Sequence, residues 1–170
     1  MTRAAALLIL FATLAHADPA GYQKPPEAIQ KVLDLPPQPT VTLSRNRDYL
    51  VLRQSQRYPS IADLARPILR IAGLRIDPRT NGQQRQPRTT AVTLRSMDGS
   101  PDIPLVFPEG VLPGALEWSP DGKRFAALGT TTDGIEVLLG APVQPKLVRV
   151  PGVKLNAAYG DPLHWMPDGK

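Results

Sequence analysis

All-β is the fold class this sequence predicts, and three observations carry it. Of 170 residues, 20 are Pro and 13 are Gly while aromatics make only 5%, the composition of short segments punctuated by turns rather than of a helical bundle. Asp-Gly hairpin signals recur through the second half, as Asp98-Gly99, Asp121-Gly122 and Asp133-Gly134. Finally, Trp118-Ser119-Pro120-Asp121-Gly122-Lys123 returns 47 residues later as Trp165-Met166-Pro167-Asp168-Gly169-Lys170. A period of that size, holding four short strands, is one blade of a β-propeller. The chain therefore reads as a partial β-propeller of about two four-stranded antiparallel blades, with a short N-terminal helix and a signal peptide in front. With 42% hydrophobic and 21% charged residues, a packed core is expected.

Arg3 supplies a positive charge, Ala4 to Leu14 is free of charge, and Ala15-His16-Ala17 places small residues where signal peptidase reads. Residues 1–17 thus read as a secretory signal, cleaved between Ala17 and Asp18. The apolar run is roughly half of the ~20 residues needed to span a bilayer, so the product is expected to be exported, periplasmic or secreted, with no membrane span after cleavage. Residues 18–39 form an N-terminal extension. In it Pro25-Pro26 precedes Ile29, Val32 and Leu33 at helical spacing, until Asp34 and Pro36-Pro37 end the pattern. A helix of about two turns does not stand alone in water, so its apolar face is expected to dock.

Residues 40–170 read as the incomplete propeller. Val41 and Leu43 alternate with polar neighbours, Ser44 to Asp48 turns, and Tyr49 to Leu52 runs back. About residues 58–88 an insertion is expected. Ser60 with Asp63 resembles a helix-start box before Pro67, Ile68 to Ile76 is extended with a kink at Gly73, and Asp77 to Pro87 is a polar, exposed loop. From Thr89 the rhythm is regular. Val92 and Leu94 lead through Asp98-Gly99 to Ile103 and Leu105 to Phe107; Leu116 and Trp118 lead through the Pro-Asp-Gly turn to Phe125 to Leu128. Ile135, Val137 to Leu139 and Leu147 to Val150 complete the meander.

The repeated motif has a structural chemistry. Pro120 and Pro167 set φ at the first turn position, and Asp121 and Asp168 cap the turn through their carboxylates. Gly122 and Gly169 take the left-handed position, and Trp118 and Trp165 offer broad faces for packing between blades. Ser44-Arg45-Asn46-Arg47-Asp48 occupies the same place as a degenerate third copy lacking Pro and Gly, displaced by 75 residues from Ser119, which an insertion over residues 61–87 accounts for.

No reaction is disclosed by these residues. The absence of Cys removes disulfides, thiolate metal sites and a Cys nucleophile. After the signal, His164 is the sole histidine. No Gly-x-Ser-x-Gly elbow accompanies it, Ser44 and Ser119 belong to turns, and His164 beside Trp165 reads as a packing residue. No catalytic, cofactor-binding or metal-binding residue is assigned, and this chain alone is expected to be inactive. Arginine is dense from Arg45 to Arg95 against Asp48, Asp63 and Asp77. These arginines are spread out and have only Tyr49 and Tyr58 as stacking aromatics, so a solvated or ion-paired surface is expected and a nucleic-acid partner is not.

Several segments in order resemble one family. They are Tyr22 with Pro25-Pro26, Leu33-Asp34 with Pro36-Pro37 and Pro39, Pro59-Ser60-Ile61 with Leu64-Ala65-Arg66-Pro67, Ile71-Ala72-Gly73-Leu74-Arg75-Ile76, and Trp118-Ser119-Pro120-Asp121-Gly122. Together they resemble the N-terminal part of prolyl-oligopeptidase-family (S9) serine peptidases, in the glutamyl-endopeptidase-like branch. That resemblance implies a propeller gating access of peptide substrates to a C-terminal α/β-hydrolase domain, which carries the Ser, Asp and His of catalysis and is absent from these 170 residues. The alternative from another class is a non-enzymatic periplasmic propeller that binds protein partners. A propeller of four to eight blades is incomplete at this length, and isolated blades would leave apolar faces and strand edges uncovered, so aggregation of the isolated chain is expected.

Overall fold

The computed structural model describes residues 24–84 and 87–169. The proposed signal and its cleavage position, Ala17 and Asp18, lie outside the described residues. Contacts divide the chain into two units, Met1–Leu35 and Pro36–Lys170. In the first, α1 (Glu27–Leu33) follows Pro26, whose carbonyl accepts from the Ile29 and Gln30 N–H groups. Glu27 and Lys31 pair across one turn at 2.9 Å. None of the residues of α1 is buried, and Ile29, Val32 and Leu33 are exposed.

The second unit is nearly all β. One sheet joins β1 (Thr40–Leu43), β2 (Tyr49–Ser55), β6 (Thr89–Ser96) and β7 (Ile103–Pro104) in that order. Another joins β8 (Leu112–Trp118), β9 (Phe125–Thr130), β10 (Ile135–Ala141) and β11 (Gln144–Leu155). All pairings in the two sheets are antiparallel, and apart from β2 with β6, which are joined across an insertion, each strand pairs with its neighbour in chain order, the up-and-down meander of propeller-like blades. Alternation selects the inward residues. Val51, Val92 and Leu94 from the first sheet, with Leu105 just after β7, meet Trp118, Phe125, Ala127, Leu138 and Leu147 from the second in one buried cluster.

Two irregularities follow from local chemistry. Register shifts between Pro113 and Leu116, where Gly114 lies so close to the Leu128 backbone that a Cβ would come within 2.7 Å of its carbonyl oxygen. In β11, Pro151-Gly152 interrupts the pairing with β10. An edge strand tolerates this: the outer side of β11 is bridged by Val106 near Lys146, and no further strand pairs along it at Pro151-Gly152.

The insertion between β2 and β6 contains α2 (Ile61–Leu64) and a small sheet of β3 (Leu69–Ile71), β4 (Leu74–Asp77) and β5 (Gly82–Gln83). Ser60 caps α2 by accepting from the Asp63 N–H at 3.1 Å. Where a kink was expected at Gly73, the chain makes a hairpin. Ala72 (φ 49) and Gly73 (φ 82) both take left-handed conformations between paired strands, so the two apolar halves of Ile68 to Ile76 are β3 and β4. The loop expected over Asp77 to Pro87 also differs. It contains β5, and Asp77, Thr80 and Gly82 are buried, because Asp77 is satisfied by the Arg79 N–H at 2.9 Å and by Arg66 at 3.4 Å. Gly82 packs against Ile135, and the Asn81 carbonyl accepts from the Ala157 N–H, tying the insertion to the chain that follows the second sheet.

Candidate functional site

Three turns share one rim of the second unit. In the turn between β8 and β9, the Ser119 N–H donates to the Arg124 carbonyl at 2.9 Å, and the Gly122 N–H closes the turn on the Ser119 carbonyl at 2.8 Å. The Ser119 hydroxyl, fully buried, accepts from the Arg124 N–H at 3.0 Å and lies 2.6 Å from the Asp121 carboxylate. That hydroxyl, followed by the Lys123 N–H, holds the Asp121 carboxyl below the usual carboxylate range. Between β1 and β2 the same frame recurs. The Ser44 N–H donates to the Tyr49 carbonyl at 2.8 Å, the Tyr49 N–H to the Ser44 hydroxyl at 3.0 Å, and the Arg47 N–H to the Ser44 carbonyl at 3.0 Å. Arg47 stands at φ 62 where Gly122 stands at φ 68. In the third turn the Gly169 N–H donates to the Met166 carbonyl at 2.9 Å, with Gly169 at φ 76.

Each turn is tied to the next. Asn46 Nδ2 donates to the Asp121 carbonyl at 2.9 Å, and Arg124 Nη2 donates to the Gly169 carbonyl at 2.9 Å. The tryptophans behave in parallel. Trp118 stacks on Tyr49 with centroids 6.0 Å apart and meets Phe125 edge-on at 5.3 Å. Trp165 lies under Arg124, the residue in the frame position of Tyr49, at 5.6 Å, and its Nε1 donates to the Glu117 carbonyl at 3.1 Å. Trp118 Nε1, by contrast, is buried without a partner among the described residues. Pro120 and Pro167 sit in these turns. Asp168 also lies in the third turn and makes interactions of its own.

His164 is not the packing residue expected. Its side chain is 73% exposed, with Nδ1 4.0 Å from a Glu117 carboxylate oxygen, beside a cavity of about 260 Å³ also lined by Asp161 and Leu163. Among the described residues no serine is hydrogen-bonded to it, and Ser44 and Ser119 are engaged in their turns. Among the described residues no group of three His, Cys, Asp or Glu side chains converges as a metal site, and no helix is long and apolar enough to cross a membrane.

Part of the basic middle of the chain is ion-paired. Arg88 meets Asp63 at 3.1 Å, Arg66 meets Asp77 at 3.4 Å, and Arg95 meets Asp102 at 2.7 Å. The Ser60 hydroxyl, with Arg88 and Arg66 contributing, keeps the Asp63 carboxyl below its usual range, and Arg95 does the same for Asp102. At the rim opposite the three turns, where β2 ends, β8 starts and β9 ends, the insertion encloses a cavity of about 280 Å³. Sequence reasoning missed this cavity, because its walls come from β2, the insertion, β8, β9, β10 and the chain after β11, and its charges read only as surface.

No family model matches the chain. Two plant proteins do. Over 111 residues, 62% of this chain, it is 32% identical to the probable glutamyl endopeptidase, chloroplastic, of Oryza sativa subsp. japonica, and 35% identical to the protein of the same name from Arabidopsis thaliana. The chain spans 12% of the length of each relative. It is thus related to peptidase-named proteins through a β-rich portion.

Proposed function

We propose that this chain is a propeller-like portion of an exported serine peptidase of the glutamyl-endopeptidase type, serving proteolysis by walling and gating the approach of peptides to a hydrolase domain encoded elsewhere in the same protein. The observation that supports this most is the 32–35% identity to peptidase-named relatives over 111 residues, in a chain built largely of two four-stranded sheets. In this reading the sheets do no chemistry. They hold a rigid rim of turns and exclude large folded substrates by size. The apolar leader at residues 1–17 supports export.

The test is labelling of the full-length gene product with an active-site fluorophosphonate. Labelling of a single serine, downstream of residue 170 and within a Gly-x-Ser-x-Gly context, is expected. A folded full-length product that takes no label, and whose reading frame continues only in further Pro-Asp-Gly repeats, overturns the proposal.

A further inference from the structure

The cavity opposite the turns has an electrostatic imbalance. Three guanidinium side chains line it, from Arg53, Arg66 and Arg88. Arg66 is answered by Asp77 at 3.4 Å and Arg88 by Asp63 at 3.1 Å. The Arg53 guanidinium makes neither hydrogen bond nor ion pair among the described residues, whereas Arg66 and Arg88 are each paired. Its position makes this unusual. Strand alternation puts Arg53 on the same side of β2 as Val51, which is 2% exposed, and directly beside Val92, also 2% exposed. A half-buried cation therefore stands where the pattern calls for a core residue. Its desolvation is offset only by an anion or by solvent.

We infer that this cavity is a binding site for a small monocarboxylate with a short aliphatic body, held by Arg53. Charge selects the class. Among the described residues two of the three lining arginines are paired with carboxylates, which leaves the Arg53 guanidinium to receive the ligand, and Asp161, an exposed lining residue, disfavours a second negative charge. A planar carboxylate satisfies a guanidinium through two parallel hydrogen bonds, which a dianionic phosphate would do only against that repulsion. The walls select the body. Leu112, Leu128 and Ile135 contribute aliphatic surface, and about 280 Å³ is room for a single branched side chain rather than for a drug-sized molecule. The site is independent of the peptidase reading, since it needs only the geometry of this chain.

The experiment is a titration of the full 170-residue chain with isovalerate and with the tripeptide Gly-Gly-Leu, following the amide and methyl resonances of Leu112, Leu128 and Thr130. Saturable shifts are expected, with a Kd on the order of 1 mM for a ligand of so few atoms. The tighter of the two ligands identifies a free acid or a peptide C-terminus as the source. The amide isovaleramide is expected to bind at least tenfold more weakly, and Arg53→Gln to cost at least tenfold in isovalerate affinity. Absence of saturation, equal binding of acid and amide, or stronger binding of inorganic phosphate than of isovalerate overturns the inference. The acid-against-amide comparison on the unaltered chain decides the matter even where Arg53→Gln does not fold.

Discussion

Gly122 and Arg47 occupy equivalent turn positions with nearly the same φ, 68 and 62, yet only one is glycine. A side chain is compatible at Arg47, since the turn there is exposed, whereas a Cβ on Gly122 would run into Nδ2 of Asn46, the residue that ties the two turns together. Gly122→Ala therefore combines left-handed strain with a displaced inter-turn hydrogen bond. Urea unfolding is expected to show a loss of roughly 1–3 kcal/mol, while Arg47→Gly should change stability by less. A loss under 0.5 kcal/mol at Gly122, by the usual scale of surface substitutions, would mean that the turn relaxes freely. The sequence made the Pro-Asp-Gly copies legible, because these residues are nearly unique solutions for that turn. The common element of the first two turns, a buried serine accepting from the N–H five residues on, was harder to see, since serine is frequent in turns of every kind.

At the scale of single elements, the insertion diverged most from expectation. Its β3–β4 hairpin sets Arg70 opposite Arg75, both exposed, so two like charges face each other across this short strand pair. Arg70→Glu should replace repulsion by a cross-strand pair and stabilise the chain by about 0.2–1 kcal/mol at low salt, the gain shrinking as ionic strength rises. Thermal melts at two salt concentrations measure it; a salt-independent effect would point to another cause. Ala72-Gly73 read as a kink because Ala is an unfavourable first residue for a left-handed pair, so the usual Asn-Gly or Asp-Gly signal was missing. Asp77 read as a loop residue because a lone aspartate is normally solvated. Its burial depends on Arg66, eleven residues away, which local pattern does not reveal.

At the scale of the molecule, the two larger sheets cover each other on one side only. The opposite side of the first sheet presents Val41 facing Leu52 and Leu43 facing Leu50, with Val41 and Leu43 52% and 54% exposed. Two aliphatic side chains on the open edge strand β1, each beside a leucine of β2, favour self-association. Sedimentation of the 170-residue chain is expected to show concentration-dependent oligomers, and the pair Val41→Lys and Leu43→Lys to shift the population toward monomer without lowering the unfolding midpoint. A chain that is monomeric at all concentrations removes this prediction. The contact of Trp118 with Tyr49, matched by Trp165 against Arg124, extends the same sheet-to-sheet packing along the chain.

By itself the sequence determined the all-β class, most strand positions after Thr89, and the repeat that sets sheet against sheet. Alternation, turn chemistry and period are local properties written in neighbouring residues. Only the tertiary structure decided the hairpin and buried aspartate of the insertion, the exposure of His164, and the arginine-lined cavity that leaves Arg53 without a counter-charge. Each of those depends on which distant segments meet, and the energy of a charge is set by its surroundings rather than by its neighbours in the chain.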